Sequence, residues 1–140
     1  MGSRVALALG MALSLGVTVV AGTASAAGCE PDGFAARGRA EGNAVIVLYR
    51  TVPATVTLGR HFAVEAIVCG ESPPATLTGI DADMPEHRHG MIYRPTVTAN
   101  APRHYVAQGL MVHMPGRWRL LFDVERGGRR ARLASDLFVD

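Results

Sequence analysis

Residues 117–128 read RWRLLFDVERGG, and this stretch decides the fold class. Apolar side chains at alternate positions indicate a β-strand with one buried face. The glycine pair 127–128 indicates a hairpin turn, because glycine readily adopts the positive φ that tight turns need. The sequence therefore predicts a strand at 117–124, a turn, and a strand at 132–139, with a core formed by Trp118, Leu120, Phe122 and Val124.

The chain from residue 44 onward repeats this pattern of short Val-, Ile-, Leu- and Thr-rich runs separated by glycine and proline. In 61–68, alternation places Phe62, Val64, Ala66 and Val68 on one face of a strand. Other strands are predicted at 44–50, 55–58, 76–82, 96–98 and 103–108. About seven short strands at this spacing predict an all-β fold, an immunoglobulin-like antiparallel β-sandwich over residues 44–140. Residues 27–43, rich in Gly and Ala, are expected to be a flexible lead-in.

The first 26 residues have the three parts of a cleaved secretory signal peptide. Arg4 gives a positive start, residues 5–20 are apolar, and Ala24-Ser25-Ala26 offers small residues for cleavage. The apolar run is shorter than the roughly 20 residues that a spanning helix needs. The sequence therefore predicts a periplasmic or secreted protein with no membrane span after cleavage.

Charge argues against a nucleic-acid partner. The chain carries 14 basic residues, all of them Arg, and 12 acidic ones, so it is nearly neutral. A nucleic-acid-binding domain usually shows a broad basic face, whereas the cluster at 129–132 lies beside a predicted turn. Hydrolysis by a serine nucleophile is also not expected, because Ser72 and Ser135 lie in no nucleophile motif.

Cys29 and Cys69 are the only two cysteines. An even number in an exported chain favours a disulfide between them. Two alternatives remain open. Cys29 follows the signal closely enough to resemble a lipid-anchor site, and either thiolate could bind a metal.

The methionines and histidines fall into two clusters. Every methionine after the signal lies in one of them, together with three of the five histidines. The first cluster reads MPEHRHGM over 84–91, and the second reads MVHMPG over 111–116. Thioether sulfur favours Cu(I), and neutral imidazole binds both oxidation states of copper. The pattern therefore predicts a mixed Met/His metal site if the two segments are neighbours.

Local spacing supports convergence within each cluster. In an extended segment His87, His89 and Met91 would point the same way, as would Met111 and His113. An alternative for Met111 is that it only fills a gap in the core. The acidic residues of 81–86 could form a solvated loop or could be partners that orient a ligating imidazole, and the solvated loop is favoured. His61 and His104 are expected to be surface or hydrogen-bonding residues.

Together the motifs Met84-Pro85-x-His87-x-His89-Gly90-Met91 and Met111-x-His113-Met114-Pro115-Gly116-x-Trp118 resemble the YtkA-like family of exported domains. The resemblance covers about residues 60–140. It implies an immunoglobulin-like fold and copper handling, as in the related FixH-like and CopC-like groups. It also implies ligands at Met84, His87, His89 and Met91, with further candidates at Met111, His113 and Met114.

The function expected from these observations is non-catalytic: an exported protein that buffers Cu(I) or delivers it to a periplasmic or membrane acceptor protein. The alternative is a structural or interaction module that assists assembly of a periplasmic or membrane complex without metal. An enzyme is not expected, since His-x-His beside Glu86 is only a faint version of a zinc hydrolase ligand set.

Overall fold

The computed structural model of the chain describes Cys29 and residues 33–140, which form two antiparallel β-sheets. The predicted signal peptide, residues 1–26, lies outside the described residues. Within the described part, the helical structure is a single 3-10 turn, Pro85–His87. No helix there is both long enough and apolar enough to cross a membrane.

The sheets contain five and four strands. The first has the spatial order β1-β2-β3-β7-β6, with bounds β1 Gly38–Gly42, β2 Val45–Val52, β3 Phe62–Gly70, β6 Thr96–Ala101 and β7 His104–Leu110. The second has the order β5-β4-β8-β9, with bounds β4 Thr76–Met84, β5 His89–Gly90, β8 Gly116–Arg126 and β9 Arg129–Val139. The predicted all-β antiparallel sandwich is confirmed, with nine strands in the described residues where about seven were expected.

The main core lies between the two sheets and follows the alternation in the sequence. Trp118, Leu120, Phe122 and Val124 on β8 are essentially fully buried, as predicted. The predicted inward face of β3, from Phe62 to Val68, packs into the same core. Because strand side chains alternate between faces, each inward residue contributes to one shared apolar layer. The hairpin at Gly127–Gly128 is also confirmed, and both glycines have positive φ.

A second, smaller core lies on the other face of the first sheet and holds the disulfide. Cys29 and Cys69 are bonded, with their Cα atoms 5.9 Å apart. Phe34, Ile46, Leu48 and Ile67 pack around them. The predicted disulfide is confirmed, so in this structure neither sulfur is available as a lipid attachment point or as a thiolate ligand.

Residues 27–43 differ from the expected lead-in where the structure describes them. β1 pairs with β2 over its whole length, and Phe34 is buried against the small core. The disulfide attaches Cys29 to the end of β3, which brings this segment over an apolar face that it can cover. Its Gly and Ala content gave no sign of this pairing.

The prediction of a strand at 55–58 is wrong. This segment is made of bends and turns between β2 and β3. Because β2 and β3 pair directly from Val45↔Gly70 to Val52↔Ala63, the residues between them must reverse the chain. Val56 and Leu58 still pack against the core, which accounts for their apolar character.

One end of the sandwich collects the segments that carry the predicted ligands. β2 ends there and β3 begins, since Val52 pairs with Ala63. β7 ends there at Leu110 and β8 begins at Gly116, joined by residues 111–115. β4 ends there at Met84 and turns back into β5. We call this the Met/His end, because both Met/His clusters lie at it.

Candidate metal centre

The β4–β5 corner sets one half of the site. The 3-10 turn at 85–87 is closed by Arg88, whose φ of 51° is left-handed and whose backbone N–H donates to the Pro85 carbonyl at 3.3 Å. This reversal makes Met84 and His89 cross-strand partners. Directly opposite residues in an antiparallel pair have Cβ atoms about 4.5–5.5 Å apart and share a face. His89 therefore lies beside a core methionine.

The β7–β8 connection supplies the other half. His113 lies in it and is exposed, and its Nε2 is 2.6 Å from the Nε2 of His89. The two ring centroids are 4.7 Å apart, with the ring planes at 83°. A hydrogen bond at this distance requires that one Nε2 carries a hydrogen and that the other carries none. The two predicted clusters thus meet through one histidine from each.

Trp118 lies against both imidazoles on the core side of the pair. Its ring centroid is 6.0 Å from that of His89 and 5.8 Å from that of His113. The side chain is fully buried, and its Nε1–H donates to the Met114 carbonyl at 2.9 Å. Sequence reasoning placed Trp118 in the core and gave it no role at the site. The sequence feature that could have indicated a position at the site is that Trp118 follows Met114-Pro115-Gly116 by two residues.

The four methionines lie at the same end of the molecule at different depths. Met84 is 1% exposed and packs in the core, with its methyl group against Gly116. Met91 is half-buried, and its sulfur accepts the backbone N–H of Met111 at 3.4 Å. Met91 is held in place by its own N–H, which donates to the Ala82 carbonyl. Met114 is half-buried and packs against the main core. The structure thus brings Met91 to Met111 and Met84 to the strand position opposite His89.

His87 is placed apart from this group. It ends the 3-10 turn and is exposed. Among the described residues, no hydrogen bond, ion pair or ring contact joins His87 to another of the predicted ligands. The prediction that His87, His89 and Met91 point the same way assumed an extended segment, whereas residues 85–87 form a helical turn.

The acidic residues near the site bind arginines and backbone, not histidines. Asp83 accepts two hydrogen bonds from Arg119, at 2.9 and 2.7 Å. Asp81 accepts from the backbone N–H of Ala82. Glu86 lies 3.8 Å from Arg117, whose pKa is raised above its ordinary value mainly by a hydrogen bond to Asp136. None of these contacts orients an imidazole.

The donor set is therefore specific. In the part of the chain that is described, no three His, Cys, Asp or Glu side chains group as a metal site. Two imidazole nitrogens converge, and the methionines of both clusters lie at the same end of the sandwich. Such a combination fits Cu(I), which accepts few and soft ligands, better than it fits a hard cation.

Exposed apolar side chains lie next to Met91 at this end of the molecule. His61 is exposed and packs edge-on against Tyr93, with ring centroids 5.6 Å apart. Tyr93 is 44% exposed and Ile92 is 75% exposed, and both directly follow Met91. The candidate ligands are thus continuous with a solvent-facing apolar surface.

Comparison of the chain with family models, curated proteins and solved structures found no match.

Proposed function

We propose that this protein is an exported copper-binding protein that buffers Cu(I) or delivers it to a periplasmic or membrane acceptor. The observation that carries the proposal is the 2.6 Å approach of the two Nε2 atoms of His89 and His113. Two imidazoles from different connections meet there beside the methionines, which provide the soft donors that Cu(I) prefers. The resemblance to the YtkA-like family supports the proposal, because it implies ligands at both of these histidines.

The two histidines would hold the ion, with methionine sulfur as the additional donor. A neutral imidazole can bind metal only through a nitrogen that carries no hydrogen. Both rings must therefore keep their hydrogen on Nδ1, so one ring changes tautomer when the ion enters. Metal–imidazole bonds are about 2.0–2.1 Å long. An ion between the rings therefore requires the nitrogens to separate, and His113 is the exposed partner in a strand connection.

Ligand exchange is the mechanism that this arrangement suits. One imidazole of the pair faces solvent, and the other is half-buried against a rigid strand. An incoming ligand from an acceptor can replace the exposed imidazole first while the other donors still hold the ion. Binding groups carried by loops on a stiff β-scaffold are a common arrangement for such exchange.

Export is supported by the disulfide as well as by the amino-terminal sequence. Disulfides form and persist in oxidising compartments such as the periplasm and the cell exterior. The Cys29–Cys69 bond is therefore consistent with a protein that works outside the cytosol.

The test is a Cu(I) competition titration against a chromophoric chelator, using protein expressed from its full-length gene and purified with the disulfide intact. We expect about one equivalent of Cu(I) to survive competition. The single variants His89→Asn and His113→Asn should each weaken binding at least about tenfold, while His104→Asn, which lies on β7 away from the pair, is the matched control. Unchanged affinity in both single variants would refute the proposal.

A second candidate is an interaction module that binds no metal. The exposed Ile92 and Tyr93 favour it, because large apolar side chains beside one another on a surface often mark a partner contact. The same titration separates the two candidates. A folded protein that takes up no Cu(I) would leave the interaction module as the better explanation.

A further inference from the structure

The buried ring of Trp118 lies against both imidazoles of the His pair. The ring centroids of His89, His113 and Trp118 form a triangle with sides of 4.7, 5.8 and 6.0 Å. The midpoint between the two imidazole centroids therefore lies about 5.4 Å from the indole centroid, so the indole closes one side of the pair at contact distance.

The indole occupies the core side of this midpoint without offering a ligand. Tryptophan is a hydrogen-bond donor only, so it has no lone pair for a metal. Its N–H is already used by the Met114 carbonyl, which fixes the ring. The ring is fully buried, so no water reaches the pair from that side through the space it fills.

We infer that Trp118 is a specificity-determining residue, which makes the site favour monovalent soft ions over Zn(II) and Cu(II). This inference rests on the proposed copper function. Structural Zn(II) sites take four ligands in a tetrahedron, and Cu(II) prefers a tetragonal set of nitrogen and oxygen donors. Trp118 removes the coordination positions on the core side, and the carboxylate of Asp83, at the end of β4, is engaged by Arg119.

Monovalent soft ions lose no ligand through the position of Trp118. Cu(I) and Ag(I) are satisfied by two or three soft donors, so they need nothing from the core side. The same residue therefore costs Cu(I) and Ag(I) no ligand, while it denies ligands to Zn(II) and Cu(II).

Wild-type protein gives the first test, because Trp118 is the only tryptophan of the chain. Ag(I), which does not undergo redox chemistry under these conditions, is titrated while tryptophan emission is recorded and binding is followed independently by calorimetry. We expect the emission to change and to reach its plateau at the same single equivalent as the heat. Stoichiometric binding without an emission change would overturn the inference and leave the copper proposal standing. Absence of Ag(I) and Cu(I) binding would overturn both.

A gain-of-function variant gives the second test. Trp118→His replaces the indole with a third imidazole, and we expect Zn(II) affinity to rise by about tenfold or more relative to wild type. The matched control is Phe122→His. It adds an imidazole on the same buried face of β8, two inward-facing positions further along the strand. Equal Zn(II) affinity in the two variants would overturn the inference. If either variant fails to fold, judged by circular dichroism, the emission titration of the wild-type protein decides.

Discussion

The Nε2 atoms of His89 and His113 lie 2.6 Å apart, although 24 residues and a change of sheet separate the two histidines in the chain. His89 follows the corner at the end of β4, and His113 lies in the connection that carries the chain from β7 to β8. Their contact therefore depends on how these two connections pack at the Met/His end. Any variant that shifts the sheets at this end should disturb the pair.

The pair should behave as one unit in binding. Removing either imidazole abolishes the two-nitrogen arrangement, so the double variant His89→Asn/His113→Asn should bind Cu(I) little more weakly than the worse single variant. Groups in direct contact show such non-additive effects. The measurement is a double-mutant cycle built from Cu(I) competition titrations. Additive losses would mean that the two histidines bind separate ions.

Gly116→Ala should destabilise the protein and displace Met84. Gly116 has a φ of 121°, which L side chains rarely adopt, and an added Cβ would lie 3.2 Å from the Met84 methyl carbon. We expect a loss of about 1–3 kcal/mol in the free energy of unfolding, measured in urea.

The control for this variant is Gly128→Ala. Gly128 also has a positive φ, of 75°, but a Cβ there would meet nothing within 4 Å. It should therefore lose only the backbone contribution, about 1 kcal/mol. Equal losses in the two variants would show that the Met84 contact carries no energy.

Removing the disulfide should lower stability without altering the metal site. The bond joins residues 40 positions apart, and a loop of that length contributes about 4 kcal/mol in the chain-entropy description. The variant Cys29→Ser/Cys69→Ser should show this loss in urea unfolding. Wild-type protein unfolded in the presence of a reductant is the control and should match the variant. Cu(I) affinity should not change, because the bond lies in the small core on the other face of the first sheet.

Stability should fall at high pH because of Tyr49. Burial raises the pKa of Tyr49 above its ordinary value of 10.0, with a smaller contribution from Asp136, and outweighs the hydrogen bond to Ser135. Above pH 10 the unfolded chain loses this proton while the folded protein keeps it, so the folded state loses relative stability as the pH rises.

Urea unfolding between pH 8 and pH 11 tests this expectation. Wild type should lose stability over that range more steeply than Tyr49→Phe, which has no proton to release. At neutral pH the variant should be less stable by about 0.5–1.5 kcal/mol, the value of one hydrogen bond. Parallel pH profiles would contradict the assignment.

Asp83→Asn should leave Cu(I) affinity within about twofold, although Asp83 directly precedes a candidate ligand. Its carboxylate faces Arg119, not an imidazole. A carboxylate that oriented a ligating histidine would instead cost about 10–100-fold in metal affinity. The pair is about one-third exposed, so its loss should cost less than about 1 kcal/mol. Cu(I) titration and urea unfolding of the same preparation measure both effects.

Much of the fold was predictable because strand alternation is a local property. The inward faces of β3 and β8 follow directly from apolar residues at every second position, and the Gly127–Gly128 turn follows from the conformational freedom of glycine. The segment 55–58 was misjudged because its apolar residues pack against the core from a turn. β1 was missed because small residues pair through their backbone, which leaves no pattern in the side chains.

The sequence by itself determined the all-β class, the disulfide partners and the set of candidate donor residues, because these depend on residue type, short-range alternation and the presence of only two cysteines. The tertiary structure decided which of these candidates meet. A 3-10 turn separates His87 from the others, His89 meets His113 where two connections come together at one end of the sandwich, and Trp118 packs against both imidazoles. The physical reason is that such contacts depend on how the sheets stack and where the connections cross, and no spacing along the chain encodes either.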